Sequence, residues 1–210
     1  MDVRPTVIYL LRHGEVILAE TRRFIGHLDV PLSARGRAQC AAQARRLAGV
    51  PLARLYSSDL ERARHSGDII GAPHGLRPIV LPALREMAMG RWEGLTADEI
   101  RAREPERFRE WMASVGVFPF PGGESVPQLV ARAGAALDTI VSEAAARPIA
   151  IVAHGGTNRA LLCRLLGVPL CRLLAFGQDY GALSVVERVG ERWMLQRLNE
   201  SPAPAASPGE

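Results

Sequence analysis

Two histidines stand at equivalent places in the 210-residue chain. Each ends an apolar run and precedes glycine: TVIYLLRHG closes on Arg12-His13-Gly14, and IAIVAHGG on His154-Gly155-Gly156. An imidazole near neutral pH is a nucleophile, a base or a donor to an anion. The following glycines let a ligand come close to the backbone. If both runs are strands of an open α/β sheet, the histidines meet outside the carboxyl ends of the strands, where such sheets bind ligands. One histidine after a strand is commonly structural, whereas two in matched positions favour a site.

A third element, SSDLERAR (Ser57 to Arg64), follows a short apolar run and opens a helix. Ser57, Ser58 and the helix N-terminus then face the same end of the sheet, and Arg62 can point back over it. A guanidinium holds oxyanions bidentately and keeps its charge. The competing reading is a solvated helix face carrying Glu61, Arg62 and Arg64. In the fourth element, LREMAMGRWEG, Glu86 is followed by Met87, Ala88 and Met89. Apolar surroundings would raise its pKa and suit a general acid, although an exposed loop glutamate is the commoner case.

The elements that must position these residues alternate between apolar runs and helical patterns, which predicts an α/β fold: a mostly parallel central sheet flanked by helices in three layers. Strands are expected over Thr6–Leu11, Arg54–Ser57, about Pro78–Leu81 and Ile149–Ala153. Helices are expected over Ala34–Leu47 with Ser33 as cap, about Leu60–Ile70, Val126–Ala145, and from His154 through Leu166. Thr96–Ser114 reads as two short helices parted by Pro105. Leu183–Arg188 and Arg192–Leu198 read as a hairpin around Gly190. One domain over residues 1–200 is expected, with a helical insertion at about 96–125 and a disordered tail, SPAPAASPGE, over 201–210.

Composition bounds the alternatives. With 48% hydrophobic and 23% charged residues the chain is neither fibrous nor wholly disordered. No run approaches ~18 uncharged apolar residues, so no membrane partner is expected. Cys40, Cys163 and Cys171 are far apart and odd in number, which argues against a disulfide framework and makes a reducing cytosol the simplest setting. The net charge of +4 comes from 26 basic residues, all arginine, interleaved with 22 acidic ones. Gene base composition accounts for the missing lysines more simply than chemistry does. No basic-aromatic stripe supports a nucleic-acid partner.

Six segments fall in a familiar order. LRHGE (Leu11 to Glu15), RFIGHLDVPLSARGRAQ (Arg23 to Gln39), SSDLERAR, LREMAMGRWEG, PGGES (Pro121 to Ser125) and VAHGGTNRALL resemble the histidine phosphatase, or phosphoglycerate mutase-like, superfamily over about residues 6–198. The resemblance implies that His13 attacks phosphorus and becomes a phosphohistidine. It implies that Arg12, Arg62 and His154 bind the phosphoryl oxygens, and that Glu86 protonates the leaving alkoxide and then activates water. Neither metal nor other cofactor is implied, and no GxxxxGK[ST] phosphate loop is present. Relatives that read RHGETxxN use the asparagine as a further phosphate contact. Here the matching positions are Val16 and Ala19, with Ser57 and the Gly26 amide as possible substitutes.

The implied partner is a small phosphorylated metabolite. GRWEG, FPFPGGES and VAHGGTNRALLCRLLGVPL resemble the α-ribazole phosphatases of cobalamin biosynthesis, which makes α-ribazole 5′-phosphate the leading substrate. A broad phosphatase of sugar or nucleotide phosphates is the alternative. A mutase is disfavoured because LREMAMGRWEG is unlike LNERHYG, and a non-catalytic binding protein because all five residues are present. A flat base would need aromatic walls. Phe24, Trp92, Trp111, Phe118 and Phe120 stand in the right loops, but packing the insertion onto the sheet explains any one of them more simply. Glu124 either reaches a substrate hydroxyl or caps the following helix. His27, His65 and His74 lack metal-ligand spacing and are read as surface residues, and Cys163 and Cys171 as core. Oligomeric state is not readable.

Overall fold

The apolar run Ile149–Ala153 forms a strand with all five residues buried, as expected for a strand covered on both faces. The computed structural model describes residues 5–202. It has a six-stranded sheet of β1 (Thr6–Arg12), β2 (Arg54–Ser57), β3 (Ile79–Val80), β4 (Ile149–Ala153), β5 (Leu183–Val189) and β6 (Arg192–Glu200). Their order is β3-β2-β4-β1-β5-β6. The first four strands run parallel, while β5 and β6 are antiparallel, so the sheet is mixed. Ile79 and Val80 form an edge strand of two residues with exposed side chains, shorter than the sequence run suggested.

Strand alternation separates two apolar layers. Ile8, Leu10, Ile149 and Ile151 face α5 (Val126–Ala144) and α6 (Gly155–Leu166). Leu11, Leu55, Ala150 and Val152 face α1 (Ala34–Leu47) and α2 (Glu61–Gly71). The helix ends follow from local chemistry. The Ser33 hydroxyl accepts from the Gly36 amide at 3.0 Å, and Gly167 ends α6 in the left-handed conformation.

The segment between residues 96 and 125 carries α3 (Ala97–Arg103) and α4 (Pro105–Ser114), parted as the proline suggested. Thr96 and Glu99 form a capping box at the start of α3. An aromatic cluster anchors these helices. Trp92, wholly buried, stacks on Phe118 at 5.3 Å between centroids and meets Phe120 and Trp111 edge-on. From residue 203 onward the expected disordered tail lies outside the described residues. Cys163 is buried as expected, but Cys171 is exposed on a 3₁₀ turn over Leu170–Ala175, where only Leu173 turns inward.

Candidate active site

β1 and β4 are parallel neighbours with Arg12 opposite Ala153, so the residues that follow them emerge together. His13 and His154 therefore lie side by side, with ring centroids 5.1 Å apart. His13 is 4% exposed and His154 fully buried. Backbone bonds fix the position of His13 from both sides. Its amide donates to the Ala153 carbonyl at 3.0 Å, and its own carbonyl accepts from Gly181 at 2.9 Å. Gly14 is required here, because a Cβ at that position would lie 2.3 Å from the Gly36 carbonyl oxygen.

The tautomer of His13 follows from its contacts. Nδ1 lies 2.7 Å from the Gly14 carbonyl oxygen, which can only accept, so Nδ1 carries the proton and Nε2 keeps its lone pair. Burial, with Arg62 and Arg12 adding to it, holds the pKa of His13 well below the usual imidazole value, and the Gly14 carbonyl opposes this only in part. His154 is lowered in the same way, by burial first and then by Arg62, His13 and Arg12. Both rings are thus neutral near pH 7.

Arg62, in the first turn of α2, is 1% exposed. Its guanidinium donates to the carbonyls of Leu28 and Gly26, each at 2.6 Å, and burial pulls its pKa down from the ordinary arginine value. The solvated-face reading of this helix therefore does not hold for Arg62. Arg12 donates to the Gln178 carbonyl, and its guanidinium carbon sits 3.8 Å from the centre of the Tyr180 ring. The Nε–H of Arg12 and Nδ1 of His154 are buried without a partner. Of these two residues, Arg12 lines the same cavity as His13, where an anion would satisfy its donor.

Glu86 does not lie in the apolar surroundings that its methionine neighbours suggested. Its Oε1 accepts from the amides of Met87 at 2.8 Å and Thr157 at 3.1 Å, and its Oε2 from Gly156 at 3.0 Å. The carboxyl group thus caps the N-terminus of α6, where its oxygens accept from two amides that the helix leaves orphaned. A cavity of about 280 Å³ brings Arg12, His13, Arg62 and Glu86 together with Gly26 and Tyr180.

The remaining expected contacts divide. Gly26 lines the cavity with φ +50°, and its amide has no hydrogen bond among the described residues. Ser57 is fully buried with an unpartnered hydroxyl and does not line the cavity, while Ser58 next to it lies 2.7 Å from His154 Nε2. Ala19 begins a 3₁₀ turn outside the cavity lining. Glu124 is taken up by the scaffold: Oε1 accepts from the Ala88 amide at 2.8 Å, and Arg132 holds both oxygens.

Sequence reasoning missed several residues. Arg132, on α5, donates to the carbonyls of Ala83, Arg85 and Glu86 at 2.8, 2.9 and 2.7 Å, and so braces the Glu86 loop. His27 is no free surface residue, since its Nε2 lies 2.7 Å from the Glu86 carbonyl oxygen. Tyr180 sits 5.6 Å from His13 between ring centroids and carries no motif of its own. Its place before Gly181-Ala182, where β5 returns beside β1, was the one available signal.

Residues 8–201 match the family model described as "Histidine phosphatase superfamily (branch 1)". The chain belongs to the histidine phosphatase superfamily. Among curated members of the superfamily, phosphoserine phosphatase 1 of Hydrogenobacter thermophilus is 31% identical over 192 residues, 91% of each chain. A protein of Yersinia pestis named "Probable phosphoglycerate mutase" is 33% identical over 162 residues, 77% of this chain and 75% of that one. The crystal structure of the α-ribazole phosphatase of Shigella flexneri superposes with a TM-score of 0.86 at 25% identity, covering 96% of this chain and all of that one. The family model and the phosphatase-named relatives make this chain a phosphatase enzyme. Among the described residues, no helix is long and apolar enough to cross a membrane.

Proposed function

We propose that the protein hydrolyses small phosphomonoesters through a phosphohistidine on His13, with no metal ion or other cofactor. The observation that carries this reading is the protonation pattern of His13: Nδ1–H is tied to the Gly14 carbonyl and Nε2 is left as a lone pair in the arginine-lined cavity. In the first step Nε2 bonds to phosphorus as the ester P–O bond breaks. The departing alkoxide takes a proton from the Glu86 carboxyl group. In the second step the Glu86 carboxylate removes a proton from water, the oxygen bonds to phosphorus, and the P–N bond breaks to release phosphate. Arg12 and Arg62 line the cavity where the nonbridging oxygens belong. His154, which packs against His13 without lining the cavity, is assigned to the same oxygens. A phosphoryl transition state needs charge and positioning there. The proton donor matters most for poor leaving groups and is worth ~10²- to 10⁴-fold.

Two substrates have support. Likeness to the α-ribazole phosphatase structure favours α-ribazole 5′-phosphate. The cleft favours a compact ester, because Phe24 is the one cavity-lining residue of the five aromatics expected near the crevice, and Trp92, Phe118, Phe120 and Trp111 pack against one another. The test is phosphate release, in excess EDTA, from α-ribazole 5′-phosphate, phosphoserine, 3-phosphoglycerate, sugar phosphates and nucleoside monophosphates. Interconversion of 3- and 2-phosphoglycerate is assayed alongside. Turnover that survives EDTA and disappears in His13→Ala is expected. Metal-reversible loss, or an His13→Ala variant with near wild-type turnover of an alkyl phosphate, would refute the mechanism.

A further inference from the structure

We propose that Arg22 forms a second anion site, and that the preferred substrate is a phosphomonoester carrying another anionic group such as a carboxylate. The inference rests on the phosphatase reading above and narrows its substrate class. Four arginines line the cavity: Arg12, Arg22, Arg23 and Arg62. Two of them, Arg12 and Arg62, flank His13 and match the two negative charges of a phosphoryl group. Arg23 is already engaged, donating to Glu99 at 2.9 Å and to the Gly94 carbonyl at 2.6 Å. Arg22 has no hydrogen bond or ion pair from its side chain among the described residues. Glu86 is the one acidic residue lining the cavity, and the amides of Met87, Gly156 and Thr157 already hold its oxygens. With Arg12 and Arg62 on the phosphoryl group and Arg23 on Glu99, Arg22 is the cavity-lining arginine left without an acceptor among the described residues.

The backbone supports the same reading. Arg22 ends the 3₁₀ turn Ala19–Thr21 with φ +49° and ψ +38°, a left-handed conformation rarely adopted by a residue with a side chain. Its amide donates to the Ala19 carbonyl at 3.2 Å, which fixes this geometry. Glycine would take up the same turn at lower cost, so an arginine held there is a candidate for a functional constraint. The guanidinium stands at the exposed rim and Arg62 at the buried floor, so the second anion belongs on the alcohol portion of the ester.

Matched substrates test this directly. O-phosphoserine and O-phosphoethanolamine differ only in a carboxylate, and p-nitrophenyl phosphate reports the phosphoryl machinery alone. Wild type is expected to favour phosphoserine over phosphoethanolamine in kcat/KM by about 10- to 100-fold, the range set by one hydrogen-bonded charge pair. In Arg22→Gly, where the backbone strain is relieved and misfolding is no explanation, that ratio should fall to near one with p-nitrophenyl phosphate turnover retained. Arg22→Lys should restore part of the preference. A wild-type ratio near one, or one unchanged in Arg22→Gly while p-nitrophenyl phosphate is hydrolysed, overturns the second anion site alone. Absence of p-nitrophenyl phosphate hydrolysis in wild type overturns the phosphatase reading and this inference with it.

Discussion

The Ser58 hydroxyl lies 2.7 Å from Nε2 of His154, while Nδ1 of the same ring is buried with no partner. If the hydroxyl donates, Nε2 is the acceptor and Nδ1 carries the proton, which is the form that can donate to a phosphoryl oxygen. Ser58→Ala removes this constraint and leaves a buried ring nitrogen unpaired. A stability loss of ~1–3 kcal/mol by urea denaturation is expected, together with about a tenfold fall in kcat/KM. If neither changes, Ser58 does not orient His154.

Inorganic phosphate should stabilise the fold, because it can occupy the cavity lined by Arg12 and Arg62 and meet the unpaired Nε–H of Arg12. At a concentration one hundred times its Kd, about 2.7 kcal/mol is expected, which raises Tm by roughly 5–10 °C in a chain of this size. The increment should vanish in Arg62→Met, whatever that variant's own starting Tm. Equal increments in both proteins would mean that phosphate acts elsewhere.

The pH dependence has a definite sign. Both histidines are held below their ordinary value of 6.5 by burial and nearby arginines. As pH falls through about 6.5 the unfolded chain binds protons that the folded chain does not, so stability drops. Above that pH the two states carry the same neutral rings and the contribution is complete. The nucleophile follows the same direction: the acid limb of kcat/KM arising from His13 should lie below 6.5. Stability flat between pH 7 and 5 in a His13→Gln, His154→Gln double variant, but not in wild type, would assign the effect.

Arg132 is a positioning residue for Glu86 rather than a participant in the chemistry. Arg132→Met removes the donor to the carbonyls of Ala83, Arg85 and Glu86 and the partner of Glu124. Turnover of an alkyl phosphate should fall by ~10²-fold, at the lower end of what a proton donor contributes. Hydrolysis of p-nitrophenyl phosphate, whose leaving group needs little protonation, should fall much less. Equal losses on both substrates would show that Arg132 only supports the fold.

Much of this site was legible in the sequence because periodic patterns and glycines have local causes. TVIYLL and IAIVA read as strands, and the Arg12-His13-Gly14 and His154-Gly155 endings follow from them. Ser33 and Pro105 marked helix boundaries through capping and ring geometry. Three-dimensional choices were not legible. Glu86 stands among methionines in the sequence, yet a distant helix N-terminus supplies its neighbours. His27 had no metal-ligand spacing and so was read as surface, but a carbonyl 59 residues away holds it. Glu124, read as a substrate or cap residue, was claimed by Arg132 across a helical turn and a loop.

The strand that delivers His13 is paired on both sides by segments made late: β4 begins at residue 149 and β5 at residue 183. At about 5–20 residues per second of synthesis, an apolar β1 waits roughly 7–30 s for β4 and slightly longer for β5. Its contacts are long-range, so loop-closure entropy must be met before they form, which slows folding. The nascent chain therefore cannot assemble the pocket around His13 until β5, with Tyr180 before it, has been made. In that interval the early strand is exposed to misassociation, and chaperone demand should track its hydrophobicity.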